Sequence, residues 1–211
     1  MGPRRGRRQL RSRPQLARIL ILCEGQCTEP QYLHEVRRKL RIPEQNLRIA
    51  SPPGVPNTPR EMVESAKGRK RDKLESYDQV WCVFDVEAKL TQQCRDGLPG
   101  ALNSAKDAGI PIAMSNPCFE IWLCWHKTDQ TAWIASDAIQ SRCKQLGLTD
   151  GKRIQDVSSL IQDCYGVARE RAINSDQTHD RNGTERPEDR NPSSDMYELI
   201  DAVYAAFPPR G

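Results

Sequence analysis

The sequence lacks any long apolar run, and no segment approaches the roughly 20 apolar residues that a membrane-spanning helix needs. Its arginine-rich beginning is not followed by the apolar stretch of a secretory signal peptide. Both absences predict a cytoplasmic protein. Aromatic residues make up only 6% of the chain, and its mean hydropathy is -0.73. We therefore expect the 211 residues to form one domain with polar tails or loops.

Several motifs that carry chemistry are also missing. The eight cysteines contain no C-x-x-C pair, so a zinc site is not indicated and reduced thiols are expected. No glycine-rich loop follows an apolar run, which leaves a P-loop or dinucleotide fingerprint unsupported. The three histidines have no partners at metal-ligand spacing. No site of these kinds is predicted.

Positive charge is concentrated at the beginning of the chain. Seven arginines and no acidic residue lie in the first 18 positions, so that subtraction from the net charge of +4 leaves about -3 for the remainder. We expect residues 1–17 to form a disordered arginine-rich arm. The arm either contacts nucleic-acid phosphates, with Arg4, Arg5, Arg7 and Arg8 as candidates, or serves as a solubilising leader.

Apolar runs alternate with helical patterns through the first 128 residues. The four runs lie at 18–23, 47–51, 79–85 and 110–115, and amphipathic segments separate them. Such alternation predicts an α/β core over 18–128, a doubly wound parallel sheet of about four strands with flanking helices.

The remainder, 129–211, is predicted to be a helical extension. Residues 174–192 are almost wholly polar and show no apolar periodicity, which predicts a mobile loop. A final helix is expected over 193–207. Asn116-Pro117 and Asn191-Pro192 both resemble helix starts, since proline is favoured at the first helical position.

Four carboxylates are predicted to meet at one edge of this sheet. Glu24 ends the first strand, Asp85 and Glu87 end the third, and Glu120 follows the fourth. The carboxyl ends of parallel strands share one edge, where such sheets bind ligands. Clustered carboxylates favour a hard cation, so we predict a Mg²⁺ site that also accepts Mn²⁺. Taken singly, each acid is equally consistent with a solvated or helix-capping residue.

Four segments of the sequence resemble one protein family. The pattern C-E-G-x-x-T-E-P-x-Y lies in residues 19–33, and S-N-P-x-F-E-x-W-L lies in 109–123. Together with 77–87 and 190–200, these motifs are similar to the RloB-like proteins of bacterial restriction and phage-defence loci. The similarity spans roughly residues 18 to 205.

The resemblance implies a Toprim-like core, the fold shared by topoisomerases, primases and OLD-type nucleases. By this likeness Glu24 is a metal ligand or general acid/base, and Asp85 with Glu87 is the metal-binding pair. The pair is D-x-E here rather than the D-x-D of Toprim domains, which places the second carboxylate one methylene farther out. Glu120 belongs to the motif of the family, and its metal role is a hypothesis.

The resulting hypothesis is a Mg²⁺-dependent nuclease, acting on DNA or RNA in phage defence or abortive infection, with an ATPase as possible partner. The alternatives are a Toprim-like module that binds nucleic acid or a partner without cutting, and another phosphoryl transfer at the same site. Lys67, Arg69, Lys70 and Asn116 are further candidates for nucleic-acid contact. The three basic residues are equally consistent with a solvated helix face, and Asn116 with a helix cap.

Overall fold

A computed structural model of the chain describes residues 16–51, 54–55, 58–86 and 92–208, without side chains for 92–96. At its centre is a five-stranded sheet in the order β2-β1-β3-β4-β7. The first four strands are parallel, and β7 pairs with β4 in the antiparallel sense. The five strands are β1 Ile19–Cys23, β2 Leu47–Ala50, β3 Gln79–Asp85, β4 Ile112–Asn116 and β7 Ser193–Ser194. A two-stranded hairpin comprises β5 Thr149–Asp150 and β6 Arg153–Ile154.

Helices connect the strands, and further helices follow β4. The connecting helices are α1 Thr28–Lys39, α2 Pro59–Arg71 and α3 Gln92–Ala108. Those that follow are α4 Glu120–Trp125, α5 Ser136–Gln145, α6 Val157–Asp163, α7 Tyr165–Arg181 and α8 Met196–Ala206. This order confirms the predicted α/β class and the parallel sheet. None of the helices in the described ranges is both long and apolar enough to span a membrane.

One face of the sheet packs against α2 and α3. Leu20 and Leu22 of β1 lie in the same buried cluster as Met62 and Val63 of α2 and Leu98 of α3. Because successive side chains of a strand point to opposite faces, the intervening residues of β1 face away from this cluster.

The opposite face packs against α1 and the helices that follow β4. Ile19, Ile21 and Cys23 lie in one buried cluster with Trp122 of α4 and Met196 of α8. Helices on both faces explain why β1 is a continuous aliphatic run, since a strand covered on both sides has no polar face.

The two Asn-Pro dipeptides do not begin helices, so this prediction is wrong. The Asn116-Pro117 and Asn191-Pro192 peptide bonds are both cis, and α4 begins only at Glu120. After the second dipeptide the chain forms β7, and α8 begins at Met196. Tertiary pairing with β4 therefore takes precedence over the local helix-start signal.

Buried polar contacts fix β7 against β4. Ser115 and Ser194 share a hydrogen bond of 3.0 Å between their hydroxyl groups. The Met114 N–H donates to the Asp195 carboxylate at 3.2 Å, and the Asp195 N–H donates to the Met114 carbonyl at 2.9 Å. Burial raises the pKa of Asp195 to about 7.

The predicted loop over 174–192 is largely helical, because α7 continues to Arg181. Only Ala168 and Ala172 of this helix are buried, which explains why the sequence shows no apolar stripe. Its polar side chains instead bind the residues that precede β7. Ser175 Oγ donates to the Pro192 carbonyl at 2.6 Å, and Arg190 pairs with Asp180 at 2.6 Å.

We expect Asn191→Ala to destabilise the fold. The Asn191 Oδ1 accepts from the Ile134 N–H and its Nδ2 donates to the Ile134 carbonyl, both at 3.0 Å. Truncation leaves both backbone groups without these partners, at a cost of about 1–3 kcal/mol in the free energy of unfolding, measurable by urea denaturation. Asn103→Ala, at an exposed position of α3, is the matched control. Equal stability of the two variants would contradict this role of Asn191.

Candidate active site

The candidate site lies where the strand order of the sheet reverses. From β1 the chain proceeds outward to β2, and it then returns to place β3 on the other side of β1. Open parallel sheets bind ligands at such a point, beyond the carboxyl ends of the strands. Glu24 follows β1 and Asp85 is the last residue of β3, so both stand at the switch point as the sequence predicts.

Glu24 and Asp85 are joined by a direct hydrogen bond. The Glu24 N–H donates to the Val83 carbonyl at 2.9 Å, which extends the pairing of β1 with β3 by one residue. The Asp85 N–H donates in turn to Glu24 Oε2 at 3.2 Å. One carboxylate oxygen of Glu24 is thereby fixed against the end of β3.

Glu29, in the first turn of α1, is a site residue that sequence reasoning missed. It is 4% exposed, and Thr28 Oγ1 donates to its Oε2 at 2.8 Å. Its carboxylate lies against Gly25, where an added Cβ would stand 2.5 Å from the carboxyl carbon of Glu29. The glycine is therefore needed to make room for this acid. The available signal was the spacing of four residues between Gly25 and Glu29 in the E-G-x-x-T-E motif.

Glu120 approaches the same group of acids from the beginning of α4. The N–H of Phe119, the residue before it, donates to the Asp85 carboxylate and lowers the pKa of Asp85. The charge of Glu120 raises the pKa values of both Asp85 and Glu29. Glu24, Glu29 and Glu120 thus all act on Asp85 through their charges.

Burial and mutual repulsion raise the pKa values of two of these carboxyl groups, Asp85 and Glu29. The pKa of Asp85 is raised well above its ordinary value, first by burial and then by Glu29, Glu120 and Glu24. The pKa of Glu29 is raised as well, chiefly by burial, although hydrogen bonds from backbone N–H groups and Thr28 oppose this. Within the described ranges no Lys or Arg forms an ion pair with Asp85, Glu29 or Glu120.

The donor set suits a hard divalent cation, with a restriction on how it binds. In the part of the chain that the structure describes, no three Asp, Glu, His or Cys side chains are placed to hold one ion together. Mg²⁺ commonly takes only one or two carboxylates and completes its shell with water and substrate oxygens. Glu24 and Asp85 fit that mode of binding.

Some of the predicted site residues cannot be compared with the structure. Glu87 and Arg4, Arg5, Arg7 and Arg8 fall outside the described residues.

Asn116 lies at the end of β4, near the site, and is buried. Its Nδ2 donates to the Glu188 carbonyl at 2.8 Å, which attaches the segment before β7 to the edge of the sheet.

The basic residues of α2 are not brought to the site. They lie in the second half of the helix, toward the amino ends of the strands. Lys70 Nζ donates to the carbonyls of Ala108 and Gly109 at 2.9 and 2.6 Å, and Arg69 pairs with Glu75 at 3.6 Å. Lys67 contacts Ser104 and pairs with Glu64 at 2.7 Å. Their predicted contact with nucleic acid would therefore take place at the opposite edge of the sheet.

His126 is a buried neutral residue outside the carboxylate cluster. Its Nδ1 is 2.8 Å from the Trp122 carbonyl, and its Nε2 is 3.1 Å from the Tyr32 hydroxyl. Burial lowers the pKa of His126 to about 4. Both ring nitrogens are thus used in contacts within the core.

Comparison with known proteins agrees with the motifs around this site. The model of the RloB-like protein family matches residues 19–203, which covers the five strands and the four carboxylates. The chain belongs to the RloB-like family. Neither curated proteins nor solved structures gave a match. In this RloB-like protein, the site is therefore interpreted from its own geometry.

We expect Gly25→Ala to destabilise this RloB-like protein through a clash with Glu29. Overpacking of this kind costs about 1–3 kcal/mol in the free energy of unfolding. Combining it with Glu29→Ala removes the obstructing carboxylate. The loss in free energy of unfolding for the double variant should therefore be smaller than the sum of the losses for the two single variants. Urea denaturation of the four proteins in this cycle measures the coupling. Strict additivity would show that the two residues do not compete for space.

Asp85→Asn should stabilise the metal-free protein at pH 8. Because the pKa of Asp85 is raised by folding, the folded state binds its proton more tightly than the unfolded state. The wild type therefore loses stability as pH rises from the ordinary carboxyl range, about 4, through the raised pKa. The amide cannot ionise, and we expect a gain of about 1 kcal/mol or more, equivalent to about 2–4 °C in Tm.

The pH dependence distinguishes this effect from a general improvement in packing. The gain of Asp85→Asn should shrink as the pH is lowered toward 5, because the wild-type carboxyl then holds its proton. Asp107→Asn, an exposed site with the same chemical change, should alter Tm little at either pH. A gain that does not vary with pH would argue against carboxylate repulsion.

Proposed function

We propose that this RloB-like protein is a metal-dependent nuclease that hydrolyses phosphodiester bonds in DNA or RNA. The observation that supports the proposal is the group of partly or fully buried carboxylates, Glu24, Glu29, Asp85 and Glu120, at the switch point of the sheet. Folding concentrates negative charge there at a cost in stability, which a divalent cation removes.

Each carboxylate has a distinct place in this proposal. Glu24 and Asp85 would hold Mg²⁺ or Mn²⁺, with Glu87 as a third candidate from the sequence. The bound ion supplies charge that neutralises the phosphate and activates a water molecule. Glu29 and Glu120 set the negative field around this position. Glu29 is too deeply buried to contact a substrate chain directly, so we assign it to positioning the Gly25 turn.

The distribution of charge along the chain affects how it would bind the phosphates of a nucleic-acid substrate. Outside the first 18 residues the protein carries about -3, so that its body alone would repel phosphates. The seven arginines at the beginning of the chain provide a compensating positive charge. Nucleic-acid binding by this arm would weaken as salt concentration rises.

A second candidate function is a binding module that does not cut. It is favoured by the D-x-E pair and by the lack, in the described residues, of three side chains placed to hold one ion. In that case the carboxylates would fix the geometry of the edge without activating water. A role in phage defence and an ATPase partner are expectations that come with the family resemblance, and a cytoplasmic location is expected from the sequence pattern. All three apply equally to both candidates.

Cleavage assays with metal and matched variants test the nuclease proposal. The purified full chain is incubated with single-stranded DNA, duplex DNA and total RNA, each with Mg²⁺, Mn²⁺ or EDTA. We expect cleavage only with metal, and a fall of about 10²–10⁴-fold in rate for Glu24→Gln and Asp85→Asn. Asp107→Asn, an exposed carboxylate of α3, should cleave like the wild type.

Metal binding is measured separately from cleavage by the change in Tm. A saturating divalent cation should raise the Tm of the wild type, since an ion at 100 times its Kd adds about 2.7 kcal/mol. Asp85→Asn should lose most of this gain. Binding of nucleic acid by wild type and variants alike, with no cleavage in either metal, would favour the binding module.

A further inference from the structure

A cavity of about 680 Å³ adjoins the carboxylate group and is not used by the proposed metal site. Val86, the residue after Asp85, lines it, and so does Asn116 at the end of β4. Its remaining walls come from Leu98 and Pro99 of α3, from Pro117, from the segment 133–136 and from residues of 186–191. The volume is within the range of about 300–1,000 Å³ that is typical of small-molecule sites, which includes nucleotides.

Trp133 is an exposed aromatic residue in the wall of this cavity. It is 72% exposed, whereas the three other tryptophans of the chain, Trp81, Trp122 and Trp125, are at most 6% exposed. Its chain neighbour Ile134 is held by both hydrogen bonds of the Asn191 carboxamide, each 3.0 Å long. The indole therefore stands next to a residue whose backbone is hydrogen-bonded to the side chain of Asn191.

Polar groups in the cavity wall call for a ligand that forms hydrogen bonds. The hydroxyl oxygen of Ser136 is buried and has no hydrogen-bond partner among the described residues. Leaving such a group unpaired is costly, and rotation of the Ser136 side chain toward a ligand with donor or acceptor atoms would remove that cost. An entirely apolar ligand would not satisfy it.

A guanidinium group stands at the rim. Arg186 pairs with Asp189 at 2.6 Å, and their side chains are 69% and 46% exposed. Ion pairs in water contribute little, so Arg186 can exchange this partner for a phosphate at small cost. The cavity thus combines a flat aromatic face, a hydroxyl group and a cation, with Glu188 and Asp189 also in its wall and with Val86 as its link to Asp85.

We propose that this cavity binds one unpaired base of the substrate, stacked on Trp133, and that the substrate is single-stranded nucleic acid or a single-stranded region. This inference rests on the proposed function, since it names the substrate class of the same site. Bases offer a π-face for the indole and edge groups for Ser136. In a duplex the bases are stacked and paired, so they do not reach a cavity without being flipped out.

Tryptophan fluorescence provides a direct measurement of ligand binding at Trp133. Because the other three indoles are buried, quenching of the exposed-tryptophan emission on binding reports on Trp133. Full-length protein without divalent metal is titrated with single-stranded DNA, single-stranded RNA and a duplex of equal length. We expect quenching by one or both single strands and little by the duplex.

Substitutions at Trp133 test the stacking contact. Trp133→Ala should weaken single-strand binding roughly 10- to 100-fold, which is the range for one base stacked on an aromatic residue. Trp133→Phe should retain most of the affinity, because the ring is kept. Leu74→Ala removes a 94% exposed apolar side chain at the other edge of the sheet and is the matched control. Unchanged Tm of each variant confirms that the fold is intact.

The outcomes separate this inference from the nuclease proposal. Cleavage that requires Asp85 but is indifferent to Trp133→Ala, with equal single-strand affinity, would overturn the base subsite alone. Quenching by single strands with no cleavage in any metal would support the subsite and overturn the nuclease proposal. Equal quenching by duplex and single strands would overturn the assignment of the substrate class.

Discussion

Repulsion between carboxylates at the carboxyl ends of β1 and β3 is the constraint that governs the functional end of this molecule. The pKa of Asp85 is raised by the charges of Glu24, Glu29 and Glu120, and burial deprives Asp85 and Glu29 of the water that would screen them. Backbone N–H groups, including that of Phe119, offset part of the repulsion. Such an arrangement costs stability in isolation. A positively charged ligand at this sheet edge would remove that cost, which is the basis of the proposed metal site.

The sheet and two of its acids could be predicted because they depend on local patterns. Aliphatic runs such as that of β1 identify strands covered on both faces, and parallel strands necessarily bring their carboxyl ends to one edge. Glu24 and Asp85 were therefore placed correctly from the sequence. Glu29 was missed because an acid in the first turn of a helix is common and needs no special explanation. Its distinguishing contact, with Gly25, depends on how the turn between β1 and α1 folds.

Features that depend on contacts between distant segments could not be predicted. The Asn116-Pro117 and Asn191-Pro192 dipeptides have the local signature of helix starts, but they flank the pairing of β4 with β7. Helix α7 lacks an apolar stripe because its side chains bind polar groups of the chain before β7. The cavity beside Trp133 is assembled from five separate parts of the sequence. In each case the contacting residues are far apart in the chain, and the local sequence does not indicate which segments meet.

The short strand β7 also determines how many backbone groups on the outer side of β4 remain unpaired. A strand at the margin of a sheet offers unpaired backbone groups to any other chain that can form a strand. Here Ser193 and Ser194 occupy part of that margin, and Asp195 extends the protection through its two bonds to Met114. Loss of the last twenty residues would uncover β4 and one side of the apolar core together. The final segment therefore covers both the backbone margin of β4 and part of the apolar core.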